Sequence, residues 1–360
     1  MVGFLCSTPY HILLCLFMAY HEYRNNQKVL VVFNRFASAQ KLCEVIKEFH
    51  LFENVLLINT HDFDGWKDWN RRFRMVSFYQ SFKRLCKESS FRKFIFFAPD
   101  LLEVSYMIKL ISRNSPNCRF AFAEDGIGSY FNPLIYTPTS KINQWLRFFD
   151  RKKYLDKIDE LYLLNPKLLT YESNYRIKPI QSVPLTDLYF NRIVDAIWGK
   201  NLNNPVDIIF LQQPFMEDKN LKLAIKQDKF INLMENYSIN KNIKIGIKLH
   251  PRTKKNTIPY NFNKFSSDIM YEIQIKNISD KTCFIGINSG ALLTPFLLWK
   301  KNNPIVFLYK MCGDSMLIKN MDNLLSRFKI EFVKAGGRLF IPESEYELEE
   351  IMNGISKRKI

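Results

Sequence analysis

Three short stretches of this sequence place ionisable or small polar residues directly after an apolar run, and each could do chemistry. In AFAEDGIGSY, Glu124 and Asp125 follow the run and Gly126 opens a turn. Adjacent carboxylates repel, which raises the proton affinity of one of them. A carboxylate so placed can accept a proton from an attacking hydroxyl as general base. The plainer alternative is a turn with an acid at a helix cap, since strand-end acids serve both purposes.

In IGIKLHPR, Lys248, His250, Pro251 and Arg252 close a second run, and His250 is the only histidine in the second half of the chain. Crowding by cations favours the neutral imidazole, and a bound phosphate would restore its charge. It would then donate to a leaving phosphate oxygen. The alternative is a satisfied histidine at a loop edge. In FIGINSGALLTPFL, Asn288, Ser289 and Gly290 separate a run from an apparent helix. Small residues there leave backbone N–H groups free for an anion, or the serine is an ordinary cap.

Elements must hold these groups. Apolar runs recur at 2–6, 29–34, 55–59, 94–98, 120–124 and 161–165, with longer amphipathic stretches between most of them. Near-continuous apolar strands alternating with helices predict parallel sheets covered on both faces. Residues 166–204 hold no strong strand and read as a connection; further runs occupy 206–212, 243–249, 282–288, 304–309 and 338–342. The expected arrangement is two α/β domains with a cleft between them, residues 1–190 and 203–342, followed by a C-terminal helix over 343–360. Ligands of such sheets sit beyond the carboxyl ends of the strands.

Composition narrows the classes. The 360 residues include 12 glycines, with neither GxxxxGK[ST] nor GxGxxG, which argues against P-loop and common dinucleotide-binding enzymes. Fifty-two basic against 35 acidic residues leave a net charge of +17, which favours anionic partners. Seven scattered cysteines without a CxxC pair read as reduced, buried thiols of a cytosolic protein and supply no zinc site. The apolar segment 1–20 is interrupted by Ser7, Thr8, Pro9 and His11 and lacks a leading positive charge. A strand, a turn and a helix from about Tyr10 to Tyr23 explain it better than a signal or anchor.

Taken together and in order, Glu124-Asp125-Gly126, His250-Pro251 and Ser289 resemble the acidic-acidic-Gly, His-Pro and serine motifs of bacterial sialyltransferases. The segments CSTPYH (6–11) and FLQQPFMED (210–218) are most similar to glycosyltransferase family 52, the lipooligosaccharide sialyltransferases. The resemblance implies the GT-B architecture, two Rossmann-like domains with parallel sheets facing a central cleft. It implies CMP-sialic acid as donor substrate and a terminal galactose of lipooligosaccharide or capsule as acceptor. It implies inverting transfer, with the motif carboxylate as base and His250 on the CMP phosphate. Within the pair Asp125 is slightly preferred to Glu124, because the two alternate in direction at a strand end and only one can point fully into the cleft. Gly126, Lys248, Pro251, Asn288, Ser289 and Gly290 would bind substrate, and Glu272 of YEIQI would bind the ribose hydroxyls. Relatives carry paired Ser or Thr where this chain has Asn288-Ser289. Glu217 and Asp218, expected to end another strand, are the rival base.

No cofactor is expected. Diphosphate leaving groups recruit Mg²⁺ or Mn²⁺, whereas CMP leaves as a monophosphate that His250, lysines and helix N-termini can stabilise. Asp62-Phe63-Asp64 is a DxD that would hold Mn²⁺ in another class of glycosyltransferase. From Trp66 to Phe94, aromatics (Trp66, Trp69, Phe73, Phe78, Tyr79) alternate with Arg71, Arg72, Arg74, Lys83, Arg84, Arg92 and Lys93. That pattern suits RNA, an anionic membrane or a plain solvated helix face. A glycolipid acceptor favours the membrane, at the inner face of a bacterial inner membrane, with no nucleic-acid partner. The competing readings are a GT-B enzyme using another nucleotide sugar and a non-catalytic RNA-binding protein.

Overall fold

Valine, isoleucine, leucine and phenylalanine fill the strand runs because both faces of those strands are covered. The computed structural model describes residues 1–58, 80–97, 102–131, 157–199, 205–250, 252–253, 258–266 and 269–356. They divide into two compact units, Met1–Ile197 and Trp198–Ile360.

The first unit carries β1 (Val2–Cys6), β2 (Lys28–Phe33), β3 (Asn54–Ile58), β4 (Lys93–Phe96), β5 (Arg119–Ala123), β6 (Ile158–Leu163) and β7 (Arg176–Pro179). They lie in the order β3-β2-β1-β4-β5-β6-β7, every neighbouring pair parallel. The second unit repeats the path with β8 (Ile208–Leu211), β9 (Ile245–Lys248), β10 (Asn263–Lys264), β11 (Cys283–Gly286), β12 (Ile305–Phe307) and β13 (Leu339–Phe340). Their order is β10-β9-β8-β11-β12-β13, again all parallel. Strand order therefore reverses between β1 and β4 in one unit and between β8 and β11 in the other. Crevices for ligands form beyond the carboxyl ends of strands at such reversals.

Each apolar run contains or overlaps a strand, with ends that differ by up to three residues, and two strands without a run join them. β7 is a half-exposed edge strand ending in Pro179, and β10 is a two-residue exposed edge. Neither needs apolar residues on both faces, so neither announces itself. The connection expected over 166–204 also contains the helix Leu188–Trp198.

The N-terminal apolar segment forms β1 and α1 (Pro9–Tyr20). The Thr8 hydroxyl accepts the His11 amide at 3.2 Å, and Pro9 stands in the first turn, where its missing N–H costs nothing. Residues His11 to Ala19 of α1 are all buried. Phe17 stacks on Phe190 of the Leu188–Trp198 helix at 5.3 Å. A helix covered on every side is apolar all round, which is why this one imitates a membrane segment. Among the described residues no helix is long and apolar enough to cross a membrane. All seven cysteines are free and buried.

Candidate active site

β5 ends at Ala123, and the next two residues part company. Glu124 is 2% exposed. Its Oε1 accepts from the Tyr10 hydroxyl at 2.8 Å, and its Oε2 from the Tyr130 hydroxyl at 2.5 Å and the Leu164 amide at 2.7 Å. Burial pushes its carboxyl up to about 7 against the pull of those donors, and repulsion by Asp125 contributes least. The sequence pointed to one raised carboxyl; the main cause is desolvation rather than the neighbouring charge.

Asp125 turns the other way, with its side chain 45% exposed. Its amide donates to the Ser129 hydroxyl at 2.9 Å, and its Oδ1 meets His11 Nε2 at 2.7 Å. Gly126 follows with φ of 82°, a left-handed conformation that leads into the 3-10 turn Ile127–Tyr130. A side chain there would strain the backbone. His11 is 1% exposed and its ring lies against Phe97 at 5.0 Å and 16°. Its Nδ1 receives the Ser7 amide at 3.2 Å. The imidazole thus comes from the first turn of α1, just after β1, and the carboxylate from the loop after β5; β4, which Phe97 follows, lies between those two strands.

In the second unit, His250 follows β9 and its Nδ1 accepts the Arg252 amide at 3.2 Å. That bond leaves the ring proton on Nε2, available to donate. Burial first and Arg252 second hold the imidazole below its ordinary value, outweighing Asp218 and Glu217. Without a bound phosphate the imidazole thus favours its neutral form, as its cationic neighbours led one to expect. Arg252 forks onto Asp218 at 2.6 and 3.2 Å. Glu217 and Asp218 stand in a turn well past the end of β8, not at its last residue, and both oxygens of Asp218 face a guanidinium.

Lys248 closes β9 and donates to the Ser266 carbonyl at 2.7 Å. Glu272 lies in the short helix Tyr271–Gln274, where burial pushes its carboxyl up and Lys248 pulls it down. Pro251 lies outside the described residues. Ser289 is buried at the start of the 3-10 turn Gly290–Leu292, and its hydroxyl makes no capping bond. That turn leads into the six-residue helix Thr294–Trp299. Asn288 Oδ1 and Gln212 Oε1 are both buried without a hydrogen-bond partner. They stand beyond β11 and β8, the two strands at the reversal of this sheet. Buried acceptors left unmade are costly, which marks them as groups for a ligand or water to satisfy.

Among the described residues, no three His, Cys, Asp or Glu side chains gather closely enough to hold a metal. Asp62 and Asp64, with the aromatic and basic residues from Trp66 to Tyr79, lie outside the described residues. Of the rest of that basic stretch, Lys93 is buried 2.5 Å from Glu160 and Arg84 pairs with Glu88 at 2.8 Å. Lys93 therefore serves the interior and not a surface ligand.

Residues 4–300 match the family described as alpha-2,8-polysialyltransferase (POLYST). The chain belongs to that family. It is thus a sialyltransferase-family glycosyltransferase, as its motifs suggested. No curated protein matches at a significant level. Among solved structures, an alpha/beta-galactoside alpha-2,3-sialyltransferase from Photobacterium phosphoreum shares 12% identity, over 94% of this chain and 98% of that one, with a TM-score of 0.55. A UDP-glucosyltransferase from Polygonum tinctorium shares 9% identity, over 99% and 98%, with a TM-score of 0.52. These likenesses concern the fold, which is the GT-B type with two parallel-sheet α/β units.

In this polysialyltransferase-family chain, sequence reasoning gave no role to His11, Tyr10, Ser7, Tyr130 or Gln212. CSTPYH and FLQQPFMED were visible as motifs, but their partners lie more than a hundred residues away in the first case.

Proposed function

We propose that this enzyme transfers sialic acid from CMP-sialic acid to a sugar hydroxyl with inversion and without a metal. The carrying observation is Asp125, a half-exposed carboxylate at the carboxyl end of a central strand, in a chain of a sialyltransferase family. The acceptor oxygen attacks the anomeric carbon, the bond from that carbon to the phosphate oxygen breaks, and CMP leaves. Asp125 takes the hydroxyl proton. His250 donates from Nε2 to the phosphate, Lys248 and Ser289 assist, and Glu272 binds the ribose. The monophosphate leaving group carries less charge than a diphosphate, so fixed donors suffice without Mg²⁺ or Mn²⁺.

The family description favours the 8-hydroxyl of a sialic acid as the acceptor group. The motif resemblance supports a second reading, a terminal galactose of lipooligosaccharide or capsule. In both, the acceptor is a bacterial surface glycan made at the inner face of the membrane, where the net charge of +17 favours anionic lipid.

Release of CMP from CMP-sialic acid, measured with oligosialic acid and with a terminal galactoside, tests the reading. Acceptor-dependent release supports it, and the faster acceptor decides between the two glycans. Turnover of UDP- or GDP-sugars without CMP-sialic acid turnover overturns it in favour of another nucleotide sugar. Binding of RNA with no turnover of any donor overturns it in favour of a nucleic-acid-binding role.

A further inference from the structure

We propose that His11 is a positioning residue for Asp125, fixed by the Ser7 amide in the tautomer that donates to the carboxylate. This rests on the reading of Asp125 as the base.

An amide can only donate, and Ser7 N–H reaches His11 Nδ1 at 3.2 Å. Nδ1 therefore presents its lone pair, and the single ring proton sits on Nε2. Nε2 meets Asp125 Oδ1 at 2.7 Å, the length of a charge-assisted bond. The ring itself has little freedom. It stands in the first turn of α1, started by the Thr8 cap and Pro9, and it lies flat on Phe97. An apolar ring would fill the same buried space; what histidine adds is one donor aimed at one carboxylate oxygen.

With Oδ1 occupied, the remaining acceptor capacity of Asp125 serves the incoming hydroxyl. The proton it takes stays on Asp125, because His11 Nε2 already carries one and Nδ1 is engaged. Other ionisable groups do not compete for the pair. Glu124 is bound by Tyr10, Tyr130 and Leu164, and among the described residues no lysine or arginine forms an ion pair with Asp125.

The test compares His11→Phe, which keeps a ring against Phe97 but loses the donor, with His11→Gln, which returns an N–H near the Nε2 position. In His11→Phe, kcat should fall roughly 10-fold to 100-fold, the scale for losing a partner that orients a working group. KM for CMP-sialic acid should hold. The acid limb of the kcat profile should move to higher pH, because an ionised carboxylate that loses a donor binds its proton more tightly. His11→Gln should recover most of kcat and return the limb. In an Asp125→Asn background, His11→Phe should cost nothing more. If His11→Phe does not fold, His11→Asn, too short to reach Asp125, replaces it with the same readings. Unchanged kcat and pH limb in the donor-less variant, or a His11→Gln no better than it, overturns the proposal. Those results beside an inactive Asp125→Asn leave the base reading standing; a fully active Asp125→Asn removes both.

Discussion

The Leu164 amide donates to Glu124 Oε2 at 2.7 Å, pinning the end of β6 to the end of β5. Two tyrosine hydroxyls complete the cage, one of them from α1. Glu124→Ala would strand three donors, so it should cost about 2–4 kcal/mol in chemical denaturation, while Glu124→Gln should cost less. The folded carboxyl, pushed up to about 7 from its ordinary 4.5, binds its proton more tightly than the unfolded one. The contribution of Glu124 to stability is therefore largest below the ordinary value and declines as pH rises through that interval. Glu124→Gln should flatten this part of the pH profile. Identical slopes for wild type and Glu124→Gln would show that the carboxyl titrates normally.

Asp125→Asn keeps the shape of the side chain and removes the carboxylate proposed as the base. Its kcat should fall by about 10²–10⁴, the range for a general base, at nearly constant CMP affinity. Asp218→Asn should retain transfer, since Asp218 serves Arg252. A normal Asp125→Asn beside an inactive Asp218→Asn would move the base to the second unit.

Burial holds the His250 imidazole below its ordinary value and its Nδ1 accepts the Arg252 amide, so phosphate binding should not require an added proton. Calorimetry of CMP binding near neutral pH, in two buffers of different ionisation enthalpy, should give equal heats after correction. Uptake of one proton would mean that the Arg252 amide bond breaks and an imidazolium forms. His250→Ala should lower kcat by about 10²–10³, the scale for one lost transition-state donor. An unchanged kcat would remove His250 from the mechanism.

Metal independence has a direct check. Turnover of CMP-sialic acid should persist in excess EDTA. Abolition with rescue by Mn²⁺ would overturn the fixed-donor account and promote Asp62 and Asp64 as the ligands to test.

Much of the architecture was legible because burial on both faces writes itself as uninterrupted apolar runs. β1, β2 and β11 could be drawn on the sequence to within a residue or two. Edge strands β7 and β10 could not, since an exposed edge makes no such demand on composition. That Glu124, His250 and Asn288 follow strands β5, β9 and β11 was also legible, because each stands at the end of an apolar run or just after it.

What the sequence could not decide is which way each side chain faces and what meets it. Glu124 and Asp125 are neighbours of the same charge; one is caged by Tyr10, Tyr130 and Leu164, and the other reaches His11. Those assignments depend on the order β1-β4-β5-β6, which brings residues 7–11, 97, 124–125 and 164 to one end of one sheet. Composition and spacing thus determined the classes of residue and the strands that carry them. Only the tertiary structure separated the buried carboxyl from the half-exposed one, because desolvation and hydrogen-bond partners belong to the assembled sheet and not to any stretch of the chain.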